Sequence, residues 1–74
     1  MKLRIVGPNQ TEITVGDKVV LFSYETPVAA HVQGRGYIRT AKHYSQTTSR
    51  HINSWLVGAN AVVVPQSEID GLIS

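Results

Sequence analysis

Seventy-four residues with a net charge of +2 and no cysteine make one small domain, and they exclude disulfides, thiolate zinc sites and cysteine nucleophiles. A chain this short buries only about 60% of its unfolded surface, which leaves little room for an enclosed substrate pocket. No apolar run approaches the roughly 20 residues that cross a bilayer, and MKLRIVGPNQ lacks a signal-peptide core, so the expected location is a cytoplasm.

Residues 2–6, KLRIV, form a short predicted strand with Leu3 and Ile5 on one face and Lys2 and Arg4 on the other. GPNQ follows as a turn in which Pro8 sets φ and Asn9 can take the left-handed position. TEITV alternates, placing Ile13 and Val15 together and turning Glu12 and Thr14 outward. Gly16-Asp17 fits a two-residue hairpin turn with glycine first, a register that pairs Ile13 with Val20 and Thr11 with Phe22. VVLFSY (19–24) is apolar on both faces and reads as the central strand. Glu25-Thr26-Pro27 is expected to interrupt it, because proline cannot donate to a strand ladder, and VAAHV (28–32) to resume as the next strand.

Side-chain parity constrains the loop after that strand. A two-residue loop at Gly34-Arg35 sets Arg39 opposite Ala30, on the apolar face. A three-residue loop, Gly34-Arg35-Gly36, pairs Val32 with Ile38 and His31 with Arg39 and keeps the apolar side chains together. The second is expected, and it puts His31, Gln33, Tyr37 and Arg39 on one outward face. After an irregular TAKHYSQ, the pattern predicts a short helix with Thr48 or Ser49 as N-cap, Ile52, Trp55 and Leu56 as its apolar stripe, and Gly58 just past its end. ANAVVVP reads as a last strand ended by Pro65, and SEIDGLIS as a turn of helix capped by Ser67. The expected fold is α+β: a curved antiparallel sheet of five to six strands with one short helix packed on it and a short C-terminal helical turn.

The charges are unevenly placed. Residues 1–25 cancel, residues 68–74 carry Glu68 and Asp70, and residues 26–67 carry Arg35, Arg39, Lys42 and Arg50 without an acid. That asymmetry suits either an anionic partner or a plain solvated surface. Arg35, Tyr37, Arg39, Lys42, His43 and Tyr44 interleave cations with aromatics, the combination by which single-strand binders neutralise phosphates and stack bases; the tyrosines serve equally as packing residues. At the expected helix start, Thr47, Thr48, Ser49, Arg50 and His51 place two basic residues where Asp and Glu are favoured. Either an external anion, phosphate above all, sits there, or one hydroxyl caps the helix while Arg50 pairs with Glu25 or the C-terminal acids. His31, His43 and His51 match no metal-ligand spacing, and no acid lies between Glu25 and Glu68 to orient a histidine beside a serine, so neither metal, cofactor nor enzymatic chemistry is expected.

Two blocks, FSYETPVAAHV (22–32) and YIRTAKHYSQTTSRHINSWL (37–56), resemble a family of small uncharacterised proteins encoded mainly by tailed bacteriophages. The shared pattern falls on Ser23, Tyr24, Thr26, Pro27, Val28 and Ala29, then on Tyr44, Ser45, Thr47, Thr48, Ser49, His51, Ile52 and Asn53. The resemblance implies an accessory protein of the host-cell cytoplasm and no particular activity. Three functions are expected, in order: a module contacting nucleic-acid phosphates through Arg35, Arg39, Lys42, Thr48 and Arg50 with Tyr37 or Tyr44 stacking, a stoichiometric inhibitor of a host enzyme or defence complex, and a virion or homo-oligomeric component pairing through the edge at residues 2–6.

Overall fold

The computed structural model describes residues 2–73, and the eight elements of those residues follow in the order β1 (Lys2–Gly7), β2 (Gln10–Val15), β3 (Lys18–Ser23), β4 (Thr26–Val32), β5 (Gly36–Thr40), α1 (Gln46–Leu56), β6 (Ala61–Val64) and α2 (Gln66–Asp70). The strands form one open sheet in sequence order, β1 to β6. Tight turns make the first five antiparallel; α1 crosses back between β5 and β6, so that last pair is parallel. The fold is α+β, as the sequence predicts.

The expected hairpin chemistry holds at two turns. Asn9 takes φ 59° behind Pro8, and Gly16 takes φ 60° ahead of Asp17. The latter turn pairs Ile13 with Val20 and Thr11 with Phe22, the expected register. Tyr24, with φ 58°, closes the turn into β4, its N–H donating to the Asn9 carbonyl at 2.7 Å.

Two strand expectations change. Pro27 does not interrupt the sheet, because β4 begins at Thr26 and absorbs proline through a bulge: Leu21 faces Ala29 while Phe22 faces Pro27. The extra residue, Val28, lies fully buried with Ala29. The β4–β5 loop has three residues, but they are Gln33-Gly34-Arg35, so Ala30 faces Ile38 and His31 faces Tyr37. The Arg35 N–H donates to the Val32 carbonyl, and Gly34 and Gly36 both take positive φ, which closes the loop one residue early. A shift of two in pairing leaves parity untouched, so His31, Tyr37 and Arg39 still share a face.

That face is not outward. Helix α1 packs over it, joining Ile52 and Leu56 to Leu21, Val28 and Ala29, with Tyr37 and Trp55 at the margin. Helix α2 covers the opposite face, where Ile69 meets Val20, Ala30, Ile38 and Val64. The Gln66 amide pins α2 to the β4 bulge through the Pro27 carbonyl at 2.8 Å.

Helix boundaries also differ from the sequence reading. Ser45, not Thr48 or Ser49, is the N-cap of α1, because its hydroxyl accepts from the Thr48 N–H at 3.1 Å. At the other end Val57 itself takes the left-handed cap position, φ 50°, and Gly58 follows it. Pro65 occupies the N-cap of α2 and supplies no side-chain bond, so Ser67 lies inside the helix.

Candidate nucleic-acid interface and aromatic cleft

The shifted N-cap changes the meaning of the helix entrance. With Ser45 as cap, the first turn is Gln46-Thr47-Thr48, and Arg50 and His51 belong to the second turn, beyond most of the helix-terminal field. Thr48 and His51 are buried, and Thr48 Oγ1 and His51 Nδ1 are engaged internally. Ser45 Oγ donates to Thr48 Oγ1 at 3.2 Å, Thr48 Oγ1 meets Ser23 Oγ at 3.1 Å, and Ser23 Oγ meets His51 Nδ1 at 2.8 Å. Either hydroxyl of the Thr48–Ser23 pair can donate, and the part played by His51 Nδ1 follows the tautomer of the ring. Ser23 is 2% exposed, so the serine–histidine pair clamps α1 onto β3 rather than meeting solvent. Of the groups expected to hold an anion, Thr48 and His51 thus hold the helix instead.

The hairpin residues disperse. Arg35 turns to the α2 side and forms an ion pair with Glu68, so a cation expected at the phosphate surface meets a C-terminal acid. Tyr37 packs edge-to-face with Trp55, ring centroids 5.7 Å apart and nearly perpendicular, and the His31 ring centre lies 4.6 Å from that of Tyr37. Arg39 donates to Asn53 Oδ1 of α1 at 3.1 Å. The hairpin face therefore meets the C-terminal half of α1, while the first two turns of α1 lie against Ser23 and Tyr24 at the other end of the sheet. The two surfaces singled out in the sequence do not coincide.

A smaller basic strip remains along the outer side of α1. Thr47, Arg50 and Asn53 are exposed and recur every three residues, and Asn53 holds Arg39. Ahead of the cap, Lys42, His43 and Tyr44 are exposed, with Lys42 Nζ 5.0 Å from the Tyr44 ring centre. Ser49 is half-buried beside them. No acid occurs in the segment that builds this strip. Among the described residues no group of three or more His, Asp or Glu could hold a metal ion, and no helix is long and apolar enough to cross a membrane.

A concavity joins Tyr37 and His31 to Arg4, Gln10 and Glu12, to which the sequence reading gave no site role. Between α1 and the β1–β2 hairpin lies an open cleft of about 460 Å³ bordered by Arg4, Gln10, Glu12, His31, Tyr37 and Trp55. Glu12, expected to point to solvent, accepts from the Trp55 indole N–H at 2.8 Å. Arg4 faces Glu12 across the β1–β2 ladder, and both belong to the face that α1 only partly covers. Strand alternation with the correct hairpin register contained this signal, since Glu12 is one residue from the Ile13–Val20 pair. What hid it was the assumption that the polar side of these strands faces water.

Over residues 1–71 the chain matches the model described as "Family of unknown function (DUF8033)". The chain belongs to this family. The match runs well beyond the two motif blocks, taking in β1, β2 and β6 and reaching past α2. No curated protein and no solved structure matches the chain.

Proposed function

We propose that this member of the family is a non-enzymatic binding module that meets the phosphate backbone of a nucleic acid along the outer strip of α1. Arg39, Lys42 and Arg50 supply the charge, His43, Tyr44 and Thr47 flank them, and Ser49 borders them. The observation that carries the reading is that an acid-free segment of the chain presents its remaining cations beside one helix, while Arg35 is neutralised elsewhere. Exposed cations next to an uncovered tyrosine suit a sequence-tolerant contact, in which charge gives affinity and the ring stacks. The resemblance to phage-encoded proteins supports a setting in host-cell cytoplasm, where a host protein complex presenting a nucleic-acid channel would offer similar chemistry.

Fluorescence anisotropy with single- and double-stranded DNA and RNA tests the proposal. Three phosphate contacts give a slope of log affinity against log salt of about −2 to −3, and Arg39→Ala with Arg50→Ala reduces it to about −1. No binding at low salt, or a slope that the double variant leaves unchanged, removes the reading; retention of a host protein from nuclease-treated lysate would then favour the host complex.

A second reading, self-association, rests on one observation. Among the described residues the edge strand β1 has no neighbouring strand on its outer side, and Leu3 and Ile5 within it are 62% and 75% exposed. Light scattering decides it: a dimer that Ile5→Lys converts to a monomer supports edge pairing, and a monomer at high concentration dismisses it.

A further inference from the structure

Three aromatic side chains stand only partly covered around the cleft between α1 and β1–β2, next to an arginine that makes no hydrogen bond or ion pair among the described residues. In a domain whose core is this small, leaving Trp55, Tyr37 and His31 at the border of a void forgoes burial that would stabilise the fold. A volume of about 460 Å³ lies within the range of small-molecule sites. The polar groups converge as well. Glu12 lines the cleft and its Oε2 takes the Trp55 N–H, while Oε1 makes no hydrogen bond among the described residues, and the Arg4 guanidinium is the forked donor that phosphate oxygens fit.

We propose that this cleft binds a nucleotide, with an amino-bearing base against Trp55 and Tyr37, its exocyclic amine donating to Glu12 Oε1, and its phosphate held by Arg4. Each part answers one requirement of the ligand: the rings offer stacking surface, the carboxylate accepts from an amine, and the guanidinium neutralises an anion. The nucleotide is either free or one unit of a strand. Ser54 borders the cleft and lies one helical turn from Arg50, so a strand whose base enters here continues toward the outer strip of α1. The cleft uses no cation of that strip, so the two proposals fail separately.

Trp55 is the single tryptophan and reports occupancy directly. Its emission in the full chain is followed during titration with adenosine, cytidine and uridine monophosphates and with a short oligodeoxyadenylate. The proposal expects a saturable change with the adenine and cytosine nucleotides and a weaker one with uridine monophosphate, which has no exocyclic amine. Arg4→Ala weakens binding by about tenfold or more, as loss of a charge-assisted contact does. In Glu12→Gln the side-chain oxygen keeps the Trp55 bond and the amide NH₂ faces the base, so preference moves toward the uracil carbonyl. Arg39→Ala with Arg50→Ala leaves mononucleotide binding intact and weakens only the oligonucleotide. A response to the oligonucleotide alone, lost in Arg4→Ala, assigns the site to a strand. Absence of any saturable response, equal binding of all three nucleotides, or affinity indifferent to Arg4→Ala in a variant whose melting curve is unchanged overturns the proposal.

Discussion

The two faces of the sheet are built differently. Under α2 the buried cluster is aliphatic, Val20, Ala30, Ile38, Val64 and Ile69, with Phe22 and Leu72 partly buried against it. Under α1 an aliphatic cluster of the same size is bordered by a buried hydroxyl–imidazole network at one end and by the aromatic cleft on another side. Helix α1 is 11 residues long and α2 only 5, yet the longer helix leaves more polar chemistry at its margins. The α2 face has the opposite irregularity: its β1 end is apolar and uncovered, with Leu3 and Ile5 in solvent. One face thus covers polar side chains and the other exposes apolar ones. A sheet of six strands is wider than either helix, and what lies beyond each helix is set by strand alternation alone.

This contrast can be broken from the centre outward. Leu21→Ala empties the layer beneath α1 in the central strand and should cost about 2–5 kcal/mol in urea unfolding, a large share of what so small a domain has. A loss near zero would mean that α1 is not held by this cluster. Next in size is Ser23→Ala, which leaves His51 Nδ1 and Thr48 Oγ1 without their shared partner and should cost about 1–3 kcal/mol. Hydrogen exchange should then show α1 opening ahead of the sheet; uniform opening of both would contradict its role as a clamp specific to the α1 face.

On the α2 side the effects should be smaller. Arg35→Ala removes an ion pair whose side chains are 43% and 39% exposed, so thermal melts should register at most about 1 kcal/mol. Nucleic-acid affinity should barely change, whereas a loss as large as that of Arg39→Ala would return Arg35 to the interface. Ile5→Thr should be nearly silent for the monomer, within about 0.5 kcal/mol, because the residue is already in solvent. A marked destabilisation there would reveal a contact made between copies.

Much of the fold was legible because local rules and global topology agreed. Asn9 and Gly16 fixed two hairpins through the sign of φ, and the doubly apolar VVLFSY identified the centre of the sheet. Less of the site was legible. Thr48 and Ser49 had the right chemistry for a cap, but Ser45 has it too; the Thr48 N–H bond to Ser45 Oγ marks Ser45 as the cap, and the Thr48 hydroxyl is taken up by Ser23, 25 residues away. Pro27 was read as a break because a missing N–H is a local fact, while the bulge that accommodates it is made with Leu21 and Phe22 of a different strand.

Residues 35–56 show the same division. Sequence by itself determined that this stretch is basic, free of acids and divided between a hairpin arm and a helix, since charge, glycine positions and periodicity are properties of neighbouring residues. Tertiary structure alone decided which of its groups stay available. It sent Arg35 to Glu68, packed Tyr37 against Trp55, drew Thr48 and His51 inward and brought Glu12 to the indole of Trp55. Those pairings join residues 18 to 43 positions apart, and a polar side chain's partner across such a span is fixed by how the helices lie on the sheet, which no local pattern encodes.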